Sequence, residues 1–167
     1  RSGHGISLRV GHNTTMSGNN ANNNSNCGIF LDNSRYNNIF GNSLINNTYD
    51  GVRLYDNSKN NTINQNSIRK NARYGVFTLN GTTGSTQYNT MFNNSFLENN
   101  IHAYDNGTNN YWNNSVIGNY WDNYTGYDVD GDGIGETPYS IPGTAGSQDY
   151  LPICHLIAPI FINGSAT

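Results

Sequence analysis

The sequence predicts an all-β protein: a right-handed parallel β-helix (a solenoid) of about five coils with a C-terminal calcium-loop and cap segment. Two observations predict this fold. Short segments that alternate apolar and polar residues recur at intervals of about 23 to 25 residues. Asparagine recurs at fixed positions between them. The composition agrees, because 33 Asn against two Glu in 167 residues disfavours helices, while 12% aromatic residues and a net charge of −3 disfavour disorder.

The alternating segments predict short strands. The first strand of successive coils begins at Gly5, Gly28, Gly51, Gly75 and Asn100. Two more apolar columns follow in each repeat, and we assign to them Met16, Ile39, Ile63, Met91 and Tyr111, then Ala21, Leu44, Ile68, Phe96 and Val116. Strands of about four residues bury too little as hairpins, but parallel coils stacked about 4.8 Å apart join them into a continuous core. In the fourth coil, residues 80–88 are an insertion and predict a loop.

Two asparagine columns are predicted to form hydrogen-bonded ladders between coils. The first contains Asn19, Asn42, Asn66, Asn94 and Asn114, and the second contains Asn24, Asn47, Asn71, Asn99 and Asn119. Asparagine tolerates left-handed backbone angles at a tight corner, and its amide can donate to one neighbouring coil while accepting from the other. The alternative is that these residues are hydrophilic turn formers without a ladder.

The repeats occupy residues 1–119, and residues 120–167 form an aromatic, Asp-rich loop, a cap and an apolar tail in the same domain. Within the loop, Asp128, Asp130 and Asp132 have the spacing of the first ligands of an EF-hand-like loop, which predicts Ca²⁺ as the cofactor. The Ile134 carbonyl and Glu136 complete the predicted ligand set. Tyr139 stands where such a loop has its bidentate Glu, and a solvated acidic turn is the alternative.

The segments 137–143 and 149–152 are predicted to cover the last coil, because an open solenoid end leaves strand groups unpaired. The apolar stretch 153–162 is predicted to form a strand. The longest apolar run, 150–162, is too short for a membrane span, and the scattered Lys and Arg residues give no basic surface for nucleic acid.

Glycosylation acceptor triplets favour an exported protein, extracellular or on the cell surface. The acceptors are Asn13, Asn23, Asn46, Asn60, Asn80, Asn93, Asn106, Asn113, Asn123 and Asn163. In that compartment Cys27 and Cys154 either form one disulfide or remain two free thiols, and the sequence leaves both open.

These repeats resemble the right-handed parallel β-helix repeats of NosD-like domains, which are common in archaeal cell-surface proteins. The stretch 118–124, with 128–135 and 137–142, is similar to the motif that closes such domains, so the resemblance covers residues 3–152. The resemblance implies the fold. It leaves the activity open, since the family name refers to copper maturation and related β-helices bind or cleave carbohydrates.

The first functional hypothesis is a non-catalytic extracellular structural module of a surface layer, sheath or filament. Its expected partners are copies of itself, stacked head to tail or laterally, or other cell-surface proteins, since the first coil begins near Arg1 without a cap. We assign no catalytic residue. The alternative is a carbohydrate-binding or polysaccharide-cleaving protein.

For cleavage the candidates are Asp32, Asp56 and Asp105, expected in one corner column, with Arg53 and His102 on the outward strand face; turn formation explains the Asp residues equally. For glycan binding the candidates are Tyr36, Tyr55, Tyr104 and Trp112. Copper is disfavoured, because His4, His12, His102 and His155 are dispersed and Met16 and Met91 belong to core columns.

Overall fold

One repeat of the sequence folds into one turn of a parallel β-solenoid, and about five turns stack in chain order. The computed structural model describes residues 3–154, and these residues contain strands but no helix. The all-β class and the solenoid are therefore confirmed. The right hand of the coil stays a prediction, which rests on the preference for right-handed connections between parallel strands.

Three parallel sheets form the sides of the solenoid. Sheet 1 contains β1 (Ile6–Arg9), β3 (Ile29–Asp32), β6 (Val52–Tyr55), β9 (Tyr74–Leu79) and β12 (Ile101–Asn106). Sheet 2 contains β2 (Thr15–Ser17), β4 (Asn38–Phe40), β7 (Thr62–Asn64) and β10 (Thr90–Phe92). Sheet 3 contains β5 (Ser43–Ile45), β8 (Ser67–Arg69), β11 (Ser95–Leu97) and β13 (Tyr120–Trp121). A short antiparallel hairpin, β14 (Tyr139–Ser140) and β15 (Gln148–Asp149), follows.

The core is a stack of like residues, because strands of successive turns pair in register. In sheet 1, Ile29 lies opposite Val52, and Leu31 lies opposite Leu54. Ile39 and Ile63 are paired in the same way in sheet 2. All of these side chains are buried. Each turn therefore buries the apolar positions of its alternating pattern against the turns before and after it.

The corners of the solenoid combine a left-handed residue with a following asparagine. At the corner between sheets 2 and 3, Gly18, Gly41, Gln65 and Asn93 have positive φ angles. The residues that follow them in the chain are Asn19, Asn42, Asn66 and Asn94. The left-handed residue turns the chain sharply, and the next side chain then points inward, where it meets its counterpart in the next turn.

Three asparagine ladders run along the solenoid, one at each corner type. In each ladder the side-chain Nδ2 of one turn donates to Oδ1 of the next turn, over distances such as 2.9 Å from Asn42 to Asn66. The first ladder is Asn19, Asn42, Asn66, Asn94, Asn119. The second ladder is Asn24, Asn47, Asn71, Asn99. The third ladder, which the sequence analysis missed, is Asn37, Asn61, Asn89, Asn110.

In the fifth turn, the structure differs from several of the predicted column assignments. Asn119, and not Asn114, continues the first ladder, whereas Asn114 holds a local turn by accepting from the Val116 and Ile117 amides. The inward positions belong to Trp112 and Trp121, which are buried, and not to Tyr111 and Val116, which are exposed. The reason is that residues 113–118 form an additional irregular loop. This loop moves β13 away from the spacing of the earlier repeats.

The last strand of sheet 1 is also displaced from its predicted alignment. Ala103 lies opposite Val76, so His102 takes the position that Gly75 has in the turn before. Asp105 lies opposite Thr78 and is buried. The sequence alignment had placed Ile101 in the column of Val52, and the structure shifts it by two residues. Because a shift of two preserves the alternation of strand faces, the pattern alone does not reveal it.

The predicted cap segment lies over the fifth turn. The ring of Tyr139 stacks on Trp121 at 4.3 Å between centroids, and Ile141 is buried in the core cluster. The Pro142 carbonyl accepts from the Asp105 amide. Ile153 bridges Tyr120 of the last turn, while the remainder of the predicted tail strand lies outside the described residues. Within the described chain, we find no helix with the length and apolarity to cross a membrane.

Candidate functional site

The acidic loop after β13 brings three carboxylates together. Asp128, Asp130 and Glu136 each offer an oxygen, and these oxygens lie within 4.8 Å of one another. Two glycines with positive φ, Gly131 and Gly133, make the sharp turn, and Asp128 accepts from both of their amides. This arrangement provides hard oxygen ligands at the surface, the type that Ca²⁺ prefers.

One predicted ligand, the Asp132 carboxylate, does not join this group, and the Ile134 carbonyl stays a prediction. The Asp132 carboxylate instead accepts from the Ile134 amide at 2.7 Å. Ile134 forms an antiparallel bridge with Ile153, which ties the loop to the cap. The three carboxylates present fewer ligands than the six to eight oxygens of a full calcium shell, so water or backbone oxygens would have to supply the rest.

Each asparagine ladder ends in a side chain that accepts from its last asparagine. The first ladder ends at Asp149, which accepts from the Asn119 backbone amide at 2.7 Å and from Trp121 Nε1 at 2.9 Å. The third ladder ends at Asp105, which accepts from Asn110 Nδ2 at 3.0 Å. Asp105 also accepts from Trp112 Nε1, the Ser147 hydroxyl, the Gly107 amide and the Thr78 hydroxyl.

The second ladder ends at a histidine. Asn99 Nδ2 lies 3.4 Å from His102 Nδ1, and His102 Nε2 lies 2.7 Å from the Asp122 carboxylate. This geometry fits a neutral imidazole that accepts at Nδ1 and donates at Nε2. Burial lowers the pKa of His102, although Asp122 acts in the opposite direction. Burial also disfavours the charged form of Asp149 and therefore raises its pKa, although the hydrogen bonds that the carboxylate accepts act in the opposite direction.

The three predicted catalytic carboxylates do not share a column. Asp32 lies on the outer face of sheet 1 and pairs with Arg9. Asp56 accepts from Thr83 and Gly84 and so holds the inserted loop against the preceding corner; its bond to Thr83 is the main cause of a lowered pKa. Asp105 is buried at the end of a ladder. His102 does not share the outward position of Arg53, which belongs to Tyr104 in β12, and it lies instead beside Asn99 of the second ladder.

The outward face of sheet 1 carries an aromatic and cationic strip that the sequence analysis did not assemble. Phe30, Arg53, Phe77 and Tyr104 occupy consecutive positions across β3, β6, β9 and β12. The guanidinium of Arg53 lies 5.4 Å from the centroid of Phe77. The sequence could have revealed this strip, because each of its members directly follows a buried residue of one apolar column, once β12 is correctly aligned.

Of the four predicted sugar-stacking residues, Tyr104 and Tyr55 are half-buried on sheet 1 and Tyr36 is exposed at a corner. Trp112 is fully buried, and its prediction as an exposed stacking residue is wrong. It lies inward in the core cluster that also contains Met91, where its indole N–H donates to Asp105.

The predicted glycosylation acceptors and the ladder asparagines are separate sets. Asn13, Asn23, Asn46, Asn80 and Asn123 are exposed, and the acceptors Asn60, Asn93, Asn106 and Asn113 are half-buried. Asn163 lies outside the described residues. The same residue type therefore serves two environments, and several acceptors are the left-handed residue that precedes a buried ladder asparagine.

The two cysteines are free thiols in this structure, which is one of the two alternatives that the sequence leaves open. Cys27 precedes β3 in the second turn, whereas Cys154 lies beside Gly133 at the other end of the stack. Burial, reinforced by Asp50, raises the pKa of Cys27 to about 12, which keeps it a neutral thiol.

The stacked parallel turns define the protein as a β-solenoid, and the sequence identifies the family. Residues 1–126 match the family described as "Periplasmic copper-binding protein (NosD)", and the chain belongs to that family. A comparison with curated proteins finds no match. Fold and family together indicate an extracellular or periplasmic β-helix protein.

Among residues 3–154, no group of three or more imidazole and cysteine side chains is assembled that would form a copper centre. His4 Nδ1 and His12 Nδ1 each accept from a backbone amide, which leaves Nε2 of each ring as a potential ligand, whereas His102 is engaged at both nitrogens. Met16 and Met91 are buried in the core, and His155 lies outside the described residues. Within residues 3–154, the group of three or more metal-binding side chains is entirely carboxylate, whereas copper favours imidazole and sulfur ligands.

Proposed function

We propose that this chain is a non-catalytic structural module of a cell-surface layer, sheath or filament, which is glycosylated and associates with copies of itself. The observation that carries the proposal is the use of its polar side chains. Buried asparagines and acids, such as Asn66 and Asp105, form the hydrogen bonds of the ladders that join the turns. This arrangement favours a rigid rod over a reactive cleft.

Lateral contact between rods is the mode of association that the molecule favours. The cap segment lies over the fifth turn, with Ile141 in the core and the Pro142 carbonyl accepting from the Asp105 amide, which disfavours head-to-tail stacking of identical copies. Exposed side chains at the corners, such as Tyr36 and Tyr88, supply apolar surface along the rod.

Electron microscopy and light scattering of the purified protein test this proposal. We expect sheets, bundles or concentration-dependent oligomers. A monodisperse monomer across a wide range of concentrations contradicts self-association. Mass spectrometry of protein from its native source tests the glycosylation, with glycan expected first at exposed acceptors such as Asn13 and Asn46.

We further propose that the acidic loop binds Ca²⁺ through Asp128, Asp130 and Glu136. Ion binding would neutralise three carboxylates held within 4.8 Å of one another and would fasten the loop to the cap through Ile134. Calcium is thus expected to stabilise the C-terminal end of the rod.

Calorimetric titration with calcium chloride measures this binding. Asp130→Asn, a change at an exposed member of the group, is expected to weaken Ca²⁺ about tenfold, a factor that corresponds to about 1.4 kcal/mol. Asp132→Asn is the matched control, since Asp132 lies outside the group, and it should leave the affinity unchanged. Equal effects of the two substitutions contradict the ligand assignment.

Carbohydrate binding is a second candidate function, favoured by the strip on sheet 1. Tyr74, Phe77 and Tyr104 form one ring cluster, with Tyr74 and Tyr104 centroids 5.1 Å apart. Arg53 and Arg73 each lie 5.4 Å from the Phe77 centroid. Rings beside cationic groups can stack on sugars and contact their acidic substituents. On a glycan array, Tyr104→Ala should remove binding and Tyr111→Ala, on another side of the rod, should not.

A further inference from the structure

The ring at the centre of the strip on sheet 1 is covered by its neighbours and presents no free face to a sugar. Phe77 is only 5% exposed. Tyr74 and Tyr104 pack against it, with their centroids 4.8 and 5.9 Å from its own. The guanidiniums of Arg53 and Arg73 each lie 5.4 Å from the same centroid. Around Phe77, a ligand therefore meets two cationic groups and two half-buried tyrosines.

Arg73 is a cation without an ion-pair partner among residues 3–154. Its guanidinium lies 5.0 Å from the centroid of Tyr74 and also contacts Phe77. Contact with rings fixes the guanidinium plane and leaves its N–H donors unused. Arg73 thus offers a positive charge and a fork of donors that the protein itself does not occupy.

Arg53 is held in place beside it by a buried acid. Its Nε donates to Asp50 at 2.6 Å, and Asp50 is fully buried. Nη2 of Arg53 is buried and has no hydrogen-bond partner in the described chain. A buried donor without a partner is costly, so this guanidinium favours an additional acceptor. Because Asp50 is the one acid that interacts with both arginines, the pair keeps an excess of positive charge.

The strip also follows the stacking axis of the solenoid, which suits a linear ligand. Two turns before Phe77, Arg9 lies 5.4 Å from the centroid of Phe30 in a similar pairing of guanidinium and ring. With turns about 4.8 Å apart, the two pairings are separated by about 10 Å. An extended chain laid along sheet 1 can reach both.

We infer that the strip on sheet 1 binds glycans that carry oxyanions, either carboxylate or sulfate groups, and that Arg73 with Arg53 receives one such group. This inference rests on the carbohydrate-binding function proposed above and names the class of glycan. A planar guanidinium pairs with an oxyanion through two parallel charge-assisted hydrogen bonds. A neutral sugar makes no such pair and finds the central ring covered, so charge selects the ligand here.

Titration calorimetry of the intact protein with three probes tests the inference. The probes are oligogalacturonate, its methyl ester, which has the same sugar rings without the charge, and a sulfated galactan oligosaccharide. We expect at least one acidic probe to bind, and the methyl ester to bind at least about tenfold more weakly than oligogalacturonate or the sulfated probe, a factor that corresponds to about 1.4 kcal/mol. Binding of one acidic probe alone identifies its oxyanion as the one recognised.

Equal binding of oligogalacturonate and its methyl ester overturns the inference and leaves carbohydrate binding standing. If none of the three probes binds, the inference also fails, and the glycan array, with its neutral members, then decides separately on the proposed function. The comparison of the acid with its ester needs no variant and so does not depend on the folding of a mutant protein.

A pair of variants then locates the site. Arg73→Gln removes the charge without breaking an ion pair and should weaken the acidic probe about tenfold, again about 1.4 kcal/mol. Arg69→Gln is the matched control, since Arg69 lies on sheet 3 and pairs with Glu98 at 2.7 Å, and it should leave the affinity unchanged. Thermal melts confirm that both variants fold. Equal weakening in the two variants would indicate general attraction to the charge of the protein and would overturn the inference.

Discussion

The first and last turns of this solenoid are built from the same kind of repeat, yet they end differently. At the first turn, Ile6 and Leu8 are half-buried, and Asn19 donates to the second turn. At the last turn, Trp112 and Trp121 close the core and buried carboxyl groups receive the ladder donors. Identical turns could continue to stack without limit. The solenoid therefore ends where residues depart from the repeat.

A polar ladder ends at a side chain that can accept from its last donor without offering a further donor. Asparagine both donates and accepts and therefore propagates the ladder, whereas a carboxylate accepts without donating. Asp105 and Asp149 are suited to end ladders whose last free group is a donor. At such a site, removal of the acid leaves several buried donors without partners.

The largest effect is expected at the C-terminal stop. Asp105→Ala removes the acceptor of Trp112, Ser147 and Asn110, and we expect the free energy of unfolding to fall by about 3 kcal/mol or more. Urea denaturation followed by tryptophan fluorescence measures it. Asp32→Ala is the control, since this residue forms an exposed ion pair with Arg9 and should cost about 1 kcal/mol or less. Similar losses in both variants would show that Asp105 does not act as a ladder stop.

An intermediate effect is expected within the ladder itself. Asn66→Ala leaves Asn42 without its acceptor and Asn94 without a donor, and should cost about 2–3 kcal/mol in denaturant unfolding. The same change at Asn19 removes a ladder member with a neighbour on one side and should cost about 1 kcal/mol. If Asn19→Ala costs as much as Asn66→Ala, the loss of stability does not depend on the number of ladder neighbours.

The smallest effect concerns pH. Because burial lowers the pKa of His102, the folded protein binds this proton less readily than the unfolded chain, and stability is lost as pH falls below the ordinary value of about 6.5. His102→Gln, which can still accept and donate, should reduce the loss between neutral pH and pH 5. His12→Gln on the first turn is the control, and the difference between the variants in thermal melts is the readout.

Asp50 and Asp149 are present in both variants, and the raised pKa values of their buried carboxyl groups act in the opposite direction, adding stability as the pH falls. They therefore cancel in the comparison of the two histidine variants. If the stability of the wild type and of His102→Gln depends on pH in the same way, His102 is not the group that destabilises the folded protein at low pH.

Repeat spacing in the sequence is enough to predict the solenoid and the register of its first four turns. The pairing of Ile29 with Val52 and the contacts of Asn42 with Asn66 follow from repeat spacing, because each turn meets a neighbour of nearly equal length. The acidic loop was visible too, although the structure joins Asp128 and Asp130 to Glu136 and leaves Asp132 outside.

The way in which the stack ends depends on packing that the repeat pattern does not specify. Three features arise where the turns of the solenoid cease to be equal in length. Ala103 pairs with Val76, Asn119 takes the ladder position predicted for Asn114, and Trp112 is buried. A repeat pattern specifies the partner of a residue when the neighbouring turn has the same length. At the last turn there is no such neighbour, and packing against the cap and satisfaction of the ladder donors select the partner instead.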